Sequence, residues 1–178
     1  MIFKETSLKG AFIIDVEKKV DDRGFFARIV GREDFRAYDL STDFVQSNIA
    51  FTLKRGTLRG LHYQVQPYEE IKLVRCTTGA IYDVIVDVRS DSVTYRKWFG
   101  VELTSDNHRM LYIPEGFAHG YQTLVDGCEV TYQVSQVFSS ESERGIRWDD
   151  PTLKIVWPMA QPTIISEKDS RWADVLEN

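Results

Sequence analysis

Six side chains have the types and surroundings that proton-transfer chemistry uses: His62, His119, Tyr132, Lys72, Asp169 and Arg59. His62 stands in Leu58-Arg59-Gly60-Leu61-His62-Tyr63-Gln64. If that segment is extended, Leu58, Gly60, His62 and Gln64 share one face, and Arg59, Leu61 and Tyr63 the other. By the same alternation Lys72 lies with Val74 and Cys76, and Tyr132 with Cys128, Val130 and Val134. Titratable groups set among apolar ones on inward strand faces line a cavity, and enclosure of that kind suits proton transfer. Each residue also has a plain structural reading. A lone strand histidine satisfies a hydrogen bond, a tyrosine fills a core, and a strand lysine solvates an edge. Asp169 closes a capping box, and His108, after Asp106-Asn107, reads as an exposed turn residue.

The elements that must position these groups are short strands. Ile71–Thr77 is followed by the turn Thr78-Gly79 and by Ala80–Val88, rich in β-branched residues. Trp98–Leu103 and Met110–Ile113 read as further strands, and Asp126-Gly127 predicts a two-residue hairpin between Gly120–Val125 and Cys128–Val134. Helical signals are confined to Glu33–Tyr38 and to Ser166-Glu167-Lys168-Asp169, a capping box. Many short strands with Gly and Asp turns and few amphipathic helices predict an all-β sandwich or barrel. With no repeats, linkers or low-complexity segments, residues 1–178 read as one domain.

Composition narrows the function. Lys and Arg total 22 against 27 Asp and Glu, a formal net charge of -5. That balance argues against nucleic acid or an anionic membrane as partner, while a few local Arg or Lys side chains suffice for a small phosphorylated ligand. Two cysteines, Cys76 and Cys128, make no disulfide scaffold and read as small buried apolar residues. The N-terminus lacks a basic region followed by an apolar one, and the apolar runs are too short to span a bilayer, so a cytoplasmic protein is expected. Neither G-x-G-x-x-G nor G-x-x-x-x-G-K-[ST] occurs, which removes the usual nucleotide-cradling loops. Metal-binding cupins carry an H-x-H pair on one strand, whereas this chain has His62-Tyr63-Gln64. His62 and His119 alone lack the third ligand of a catalytic zinc or iron site, and no spacing pattern points to Glu69 or Glu70 as that ligand, so no metal is expected.

Gly56–Gln64, Lys72–Cys76, Asp83–Arg89, Ile113–Gly120, Trp148–Pro151 and Ile165–Asp169 together resemble the dTDP-4-dehydrorhamnose 3,5-epimerase family, in order and spacing, over nearly the whole chain. The resemblance implies an all-β cupin-type jelly roll with short peripheral helices. It also implies a homodimer, no cofactor, and a nucleotide-linked 4-keto-6-deoxyhexose as substrate. By motif match His62 is the general base paired with Asp169, Tyr132 the acid on the opposite face, and Lys72 the stabiliser of the enolate oxygen. His119 and Arg59 line the sugar and phosphate region. Arg23 and Phe26, in Asp22-Arg23-Gly24-Phe25-Phe26, and Gln46, Ser47, Asn48, Glu143 and Lys168 complete the substrate site.

Two positions depart from the family pattern. Arg28 stands where a Glu usually helps hold the nucleotide base, which reverses the hydrogen-bond polarity there. Val137-Phe138 replaces an aromatic pair containing Tyr. The other readings are therefore an epimerase for a CDP- or GDP-linked 4-ketosugar, inversion at one carbon only, and a non-catalytic nucleotide-sugar-binding module.

Overall fold

The β-branched segment Ala80–Asp87 is buried on both faces, which explains its nearly continuous apolar run. Ile81 and Ile85 point into one core, while Tyr82, Val84 and Val86 pack in another. The computed structural model describes residues 1–175. In chain order its elements are β1 (Ile2–Glu5), β2 (Phe12–Asp15), β3 (Lys19–Asp21), β4 (Gly24–Phe26), α1 (Arg32–Arg36), β5 (Gln46–Thr52), β6 (Thr57–Gln64), β7 (Lys72–Thr78) and β8 (Ala80–Asp87). They continue with β9 (Trp98–Thr104), β10 (Met110–Ile113), β11 (Phe117–Thr123), β12 (Cys128–Val134), β13 (Glu143–Gly145), β14 (Ile164–Ile165) and α2 (Glu167–Ser170).

One sheet runs β1-β2-β10-β7-β12-β5 and the facing one β13-β6-β11-β8-β9, with β14 added parallel to β6. This is a cupin-type jelly roll, as expected. Val74, Cys76, Ile81, Ile85, Leu111, Phe117, Cys128 and Val130 fill the space between the sheets. Both cysteines are free and fully buried there, and burial pushes the Cys76 thiol up to about 12. A second core, with Leu58, Leu61, Trp148 and Trp157, covers the outer face of the β6 sheet, and a third, with Phe35 of α1, covers the β10 sheet. Among the described residues no helix is long and apolar enough to cross a membrane.

Three sequence expectations need correction. Asp126-Gly127 does not close a hairpin: β11 pairs with β6 and β8, whereas β12 pairs with β5 and β7 in the facing sheet. The turn carries the chain from one sheet to the other, with Gly127 at φ +67 and the Asp126 carboxylate accepting from the Arg55 N–H at 2.7 Å. Turn chemistry specifies a reversal and is silent on which strands pair afterwards. His108 is half-buried against Phe25, with ring centroids 5.0 Å apart, rather than exposed. The alternation read for β6 is also interrupted, and that interruption builds the site.

Candidate active site

His62 lies directly opposite His119 across the β6–β11 pair, and Arg59 lies opposite Tyr121. Three steps along β6 thus match two along β11, so a bulge falls at Gly60-Leu61. The bulge puts Arg59 and His62 on the same cavity wall, while Leu58, Leu61 and Tyr63 turn outward together. The strict alternation drawn from the sequence, with Leu58 beside His62, fails for this reason. Fully buried Leu58 and Leu61 anchor the bulged strand, each contributing about 2 kcal/mol of apolar burial. Gly60 has φ +113, and a Cβ there would meet Gly120 Cα and the His119 carbonyl oxygen at 2.6 Å, so only glycine fits.

The bulge also frees the Gly60 N–H, which donates to Asp169 Oδ2 at 3.1 Å. Asp169 arrives on α2, whose N-cap Ser166 accepts from the Asp169 N–H at 3.0 Å. The capping box is therefore half used. Its carboxylate turns to His62 instead, with Oδ1 2.6 Å from Nε2. Burial pushes the Asp169 carboxyl up, but the His62 hydrogen bond and charge, with the Gly60 N–H, outweigh this and hold it below the usual carboxylate range. An ionised carboxylate only accepts, so Nε2 donates to it, and in the neutral form of the ring Nδ1 has the lone pair that can take a proton. Trp172 packs edge-on to the His62 ring, at 6.2 Å, and fills the space beside Gly145.

The facing sheet supplies the opposite wall. Lys72 on β7 and Tyr132 on β12 line the same cavity of about 500 Å³ as His62, His119, Arg59, Lys168 and Asp169. A connected recess of about 300 Å³ adds Gln46, Asn48, Glu143, Glu70 and Phe138. Burial raises the Tyr132 phenol above its ordinary value, nearby Glu70 adds to the rise, and Arg59 opposes it. Arg59 donates to Thr52 Oγ1 at 3.1 Å and to the Phe51 carbonyl at 3.3 Å, and Lys168 pairs with Glu143 at 2.5 Å. Arg59, Lys72 and Lys168 collect positive charge at one cleft of an acidic protein, which suits an anionic ligand.

The remaining expected site residues lie elsewhere. Ser47 points to the other face of its sheet, in a small recess with Ile29 and Arg75. Arg23 is on the exposed β3–β4 hairpin, bonded to Asp21, and Phe26 and Arg28 line a separate surface recess, with Arg28 paired to Asp34 at 3.1 Å. Gln64, at the position of a second metal-ligand histidine, is locked to the Tyr68 and Val137 carbonyls and the Ser139 N–H. Among the described residues no group of three or more His, Cys, Asp or Glu could hold a metal ion.

Three site residues escaped the sequence reading. Asp83, fully buried, holds His119 Nε2 at 2.5 Å, and its Oδ2 has no hydrogen-bond partner among the described residues. Its signal is a carboxylate on the inward face of β8, between Ile81 and Ile85. Glu70 pairs with Lys72 at 3.1 Å, and Trp172 flanks His62.

The profile of the family described as dTDP-4-dehydrorhamnose 3,5-epimerase matches residues 5–177. An enzyme of that name from Methanothermobacter thermautotrophicus is 45% identical, over 99% of this chain and 95% of its own. The crystal structure of the Bacillus anthracis enzyme with TDP and PPi bound superposes with a TM-score of 0.91 at 40% identity, covering 96% of this chain and 98% of that one. A Legionella pneumophila enzyme in complex with dTDP-4-keto-L-rhamnose gives 0.91 at 35% identity, over 98% and 93% of the two chains. The chain belongs to the dTDP-4-dehydrorhamnose 3,5-epimerase family.

Proposed function

We propose that the protein converts dTDP-4-dehydro-6-deoxy-D-glucose to dTDP-4-dehydro-L-rhamnose, an isomerase that inverts C3 and C5 by moving protons beside the C4 ketone. The observation that carries the reading is one cavity with an imidazole–carboxylate pair on one sheet and a phenol and an ammonium on the other. A C–H next to a ketone is acidic because the charge left behind spreads onto the carbonyl oxygen. His62, oriented by Asp169, takes that proton through Nδ1. Lys72 faces the oxygen on which the charge develops, an arrangement worth about 3 kcal/mol for one well-placed donor. Tyr132 returns a proton from the other side of the sugar ring, and inversion needs donor and acceptor on opposite faces. His119, held by Asp83, and Arg59 bind the sugar and phosphates, with Gln46, Asn48, Glu143 and Lys168 around the nucleotide. The ketone already activates the carbon, so this route takes no hydride and no cofactor.

Incubation with the 4-ketosugar in deuterated water is expected to place solvent deuterium at both C3 and C5, read by NMR. A binding module would incorporate none, and a single-carbon epimerase would label one position. Running CDP- and GDP-linked 4-ketosugars in parallel tests whether Arg28 alters the nucleotide preference.

The working unit is proposed to be a homodimer. The edge strand β5 exposes Ile49 and Phe51 on the face opposite the cavity, with exposed Leu53 just after it, beside an unpaired backbone edge. Sedimentation equilibrium is expected to give twice the 20.6 kDa chain mass; a monomer at micromolar concentration would overturn the assembly.

A further inference from the structure

Among the described residues, Glu70 is the one carboxylate of the cavity walls to which the reaction so far gives no task. It lies two residues ahead of Lys72, the first residue of β7, and its Oε1 sits 3.1 Å from Lys72 Nζ. Both side chains are withdrawn from solvent, at 12% and 13% exposure, so this is no solvated surface pair. The same recess holds Tyr132 and His62. Glu143, the other acid of that recess, is taken by Lys168. Asp169 is committed to His62 and Asp83 to His119.

We propose that Glu70 is a positioning residue of the proton-transfer site: its carboxylate fixes the Lys72 ammonium on the wall it shares with Tyr132 and keeps the phenol in its proton-bearing form. The inference rests on Tyr132 being the acid of the reaction above. Among the described residues, the charged and titratable groups that share these cavities with the phenol are Lys72 and Glu70 from the β7 side, Arg59, His62 and Tyr63 from β6, His119 and Tyr121 from β11, Glu143 from β13, and Lys168 and Asp169 from α2. Cations among them favour the phenolate, and Glu70 opposes that by its charge and by neutralising Lys72. Its negative charge acts in the direction already seen for Tyr132, where burial is the larger cause. A phenol that stays protonated in a cation-lined site can deliver a proton over a wider alkaline range.

The test is the ratio of inverted product to deuterium-exchanged substrate, followed from neutral to alkaline pH in the full-length protein. Exchange reports His62, and the ratio reports the far-face donor. In Glu70→Gln the alkaline fall of this ratio is expected at lower pH. Normalised at neutral pH, the ratio near pH 10 drops about threefold against the parent. Glu70→Asp, which keeps the charge, is expected to restore the parent profile, and Glu70→Ala serves as the second neutral variant if Glu70→Gln folds poorly by circular dichroism. Superimposable ratio profiles for the parent and a folded neutral variant overturn the assignment of Glu70. A parent that exchanges no deuterium overturns the epimerase reading instead, so the two failures are distinct.

Discussion

Replacing His62 by Ala is expected to lower kcat/KM by about 10³-fold, roughly 4 kcal/mol of barrier, and to abolish deuterium incorporation at both carbons. The size follows from what the imidazole supplies. His62, the base of the proposed reaction, has its ring fixed by a hydrogen bond behind it: Asp169 Oδ1 holds Nε2 at 2.6 Å, an arrangement that His119 shares with Asp83. Asp169 is in turn held by the Gly60 N–H and by α2, so its position does not depend on substrate. The variant also strands a carboxylate that is 6% exposed, which costs about 1–3 kcal/mol of stability and must be separated from lost chemistry. His62→Gln does this, because its amide can still donate to Asp169 but offers no basic nitrogen. Loss of exchange in both variants, with intact thermal unfolding of His62→Gln, assigns the base. Near-parental exchange in His62→Ala would remove His62 from that role.

Much of the architecture was legible in its longer strands. β8 and β10 are nearly continuous apolar runs buried on both faces, β7 and β12 mix polar residues with buried apolar ones, and the bounds of all four match within a residue or two. Strands β1–β5 left no such mark. β1 to β4 are three or four residues long and, except for β2, mostly exposed, and β5 puts its large apolar residues on the outer face. The site was legible as residue types and not as geometry. His62, Lys72, Tyr132 and Asp169 do converge on one cavity. The bulge that aims His62 depends on Gly60 pressing against Gly120, a contact distant along the chain that no local pattern encodes. Asp83 was hidden in an apolar run where a carboxylate looked incidental, although a buried carboxylate needs a partner and so points to one. Ser47 shows the limit of neighbour reasoning: flanked by cavity-facing Gln46 and Asn48, it turns away because strand residues alternate.

Tyr132→Phe is expected to separate the two halves of the reaction. Inversion should fall by about 10²-fold or more while deuterium exchange falls far less, since His62 and Lys72 remain. Tyr132 is on β12 and His62 on β6, in the two facing sheets, so removing the hydroxyl leaves a base on one wall and no donor on the other. The enolate then recovers its proton mainly from the imidazolium that took it, on the face it left. That path gives labelled substrate with unchanged configuration. The substitution removes one oxygen from a half-buried ring packed against the core between the sheets, so stability should move little. The measurement is one NMR time course in deuterated water that follows both the loss of the C3 and C5 proton signals and the appearance of epimer. If inversion and exchange fell together by the same factor, Tyr132 would be acting before the enolate forms. The far-face proton would then have to come from another group, and His119, held at 2.5 Å by Asp83 on the β6 side, stands on the wrong wall to supply it.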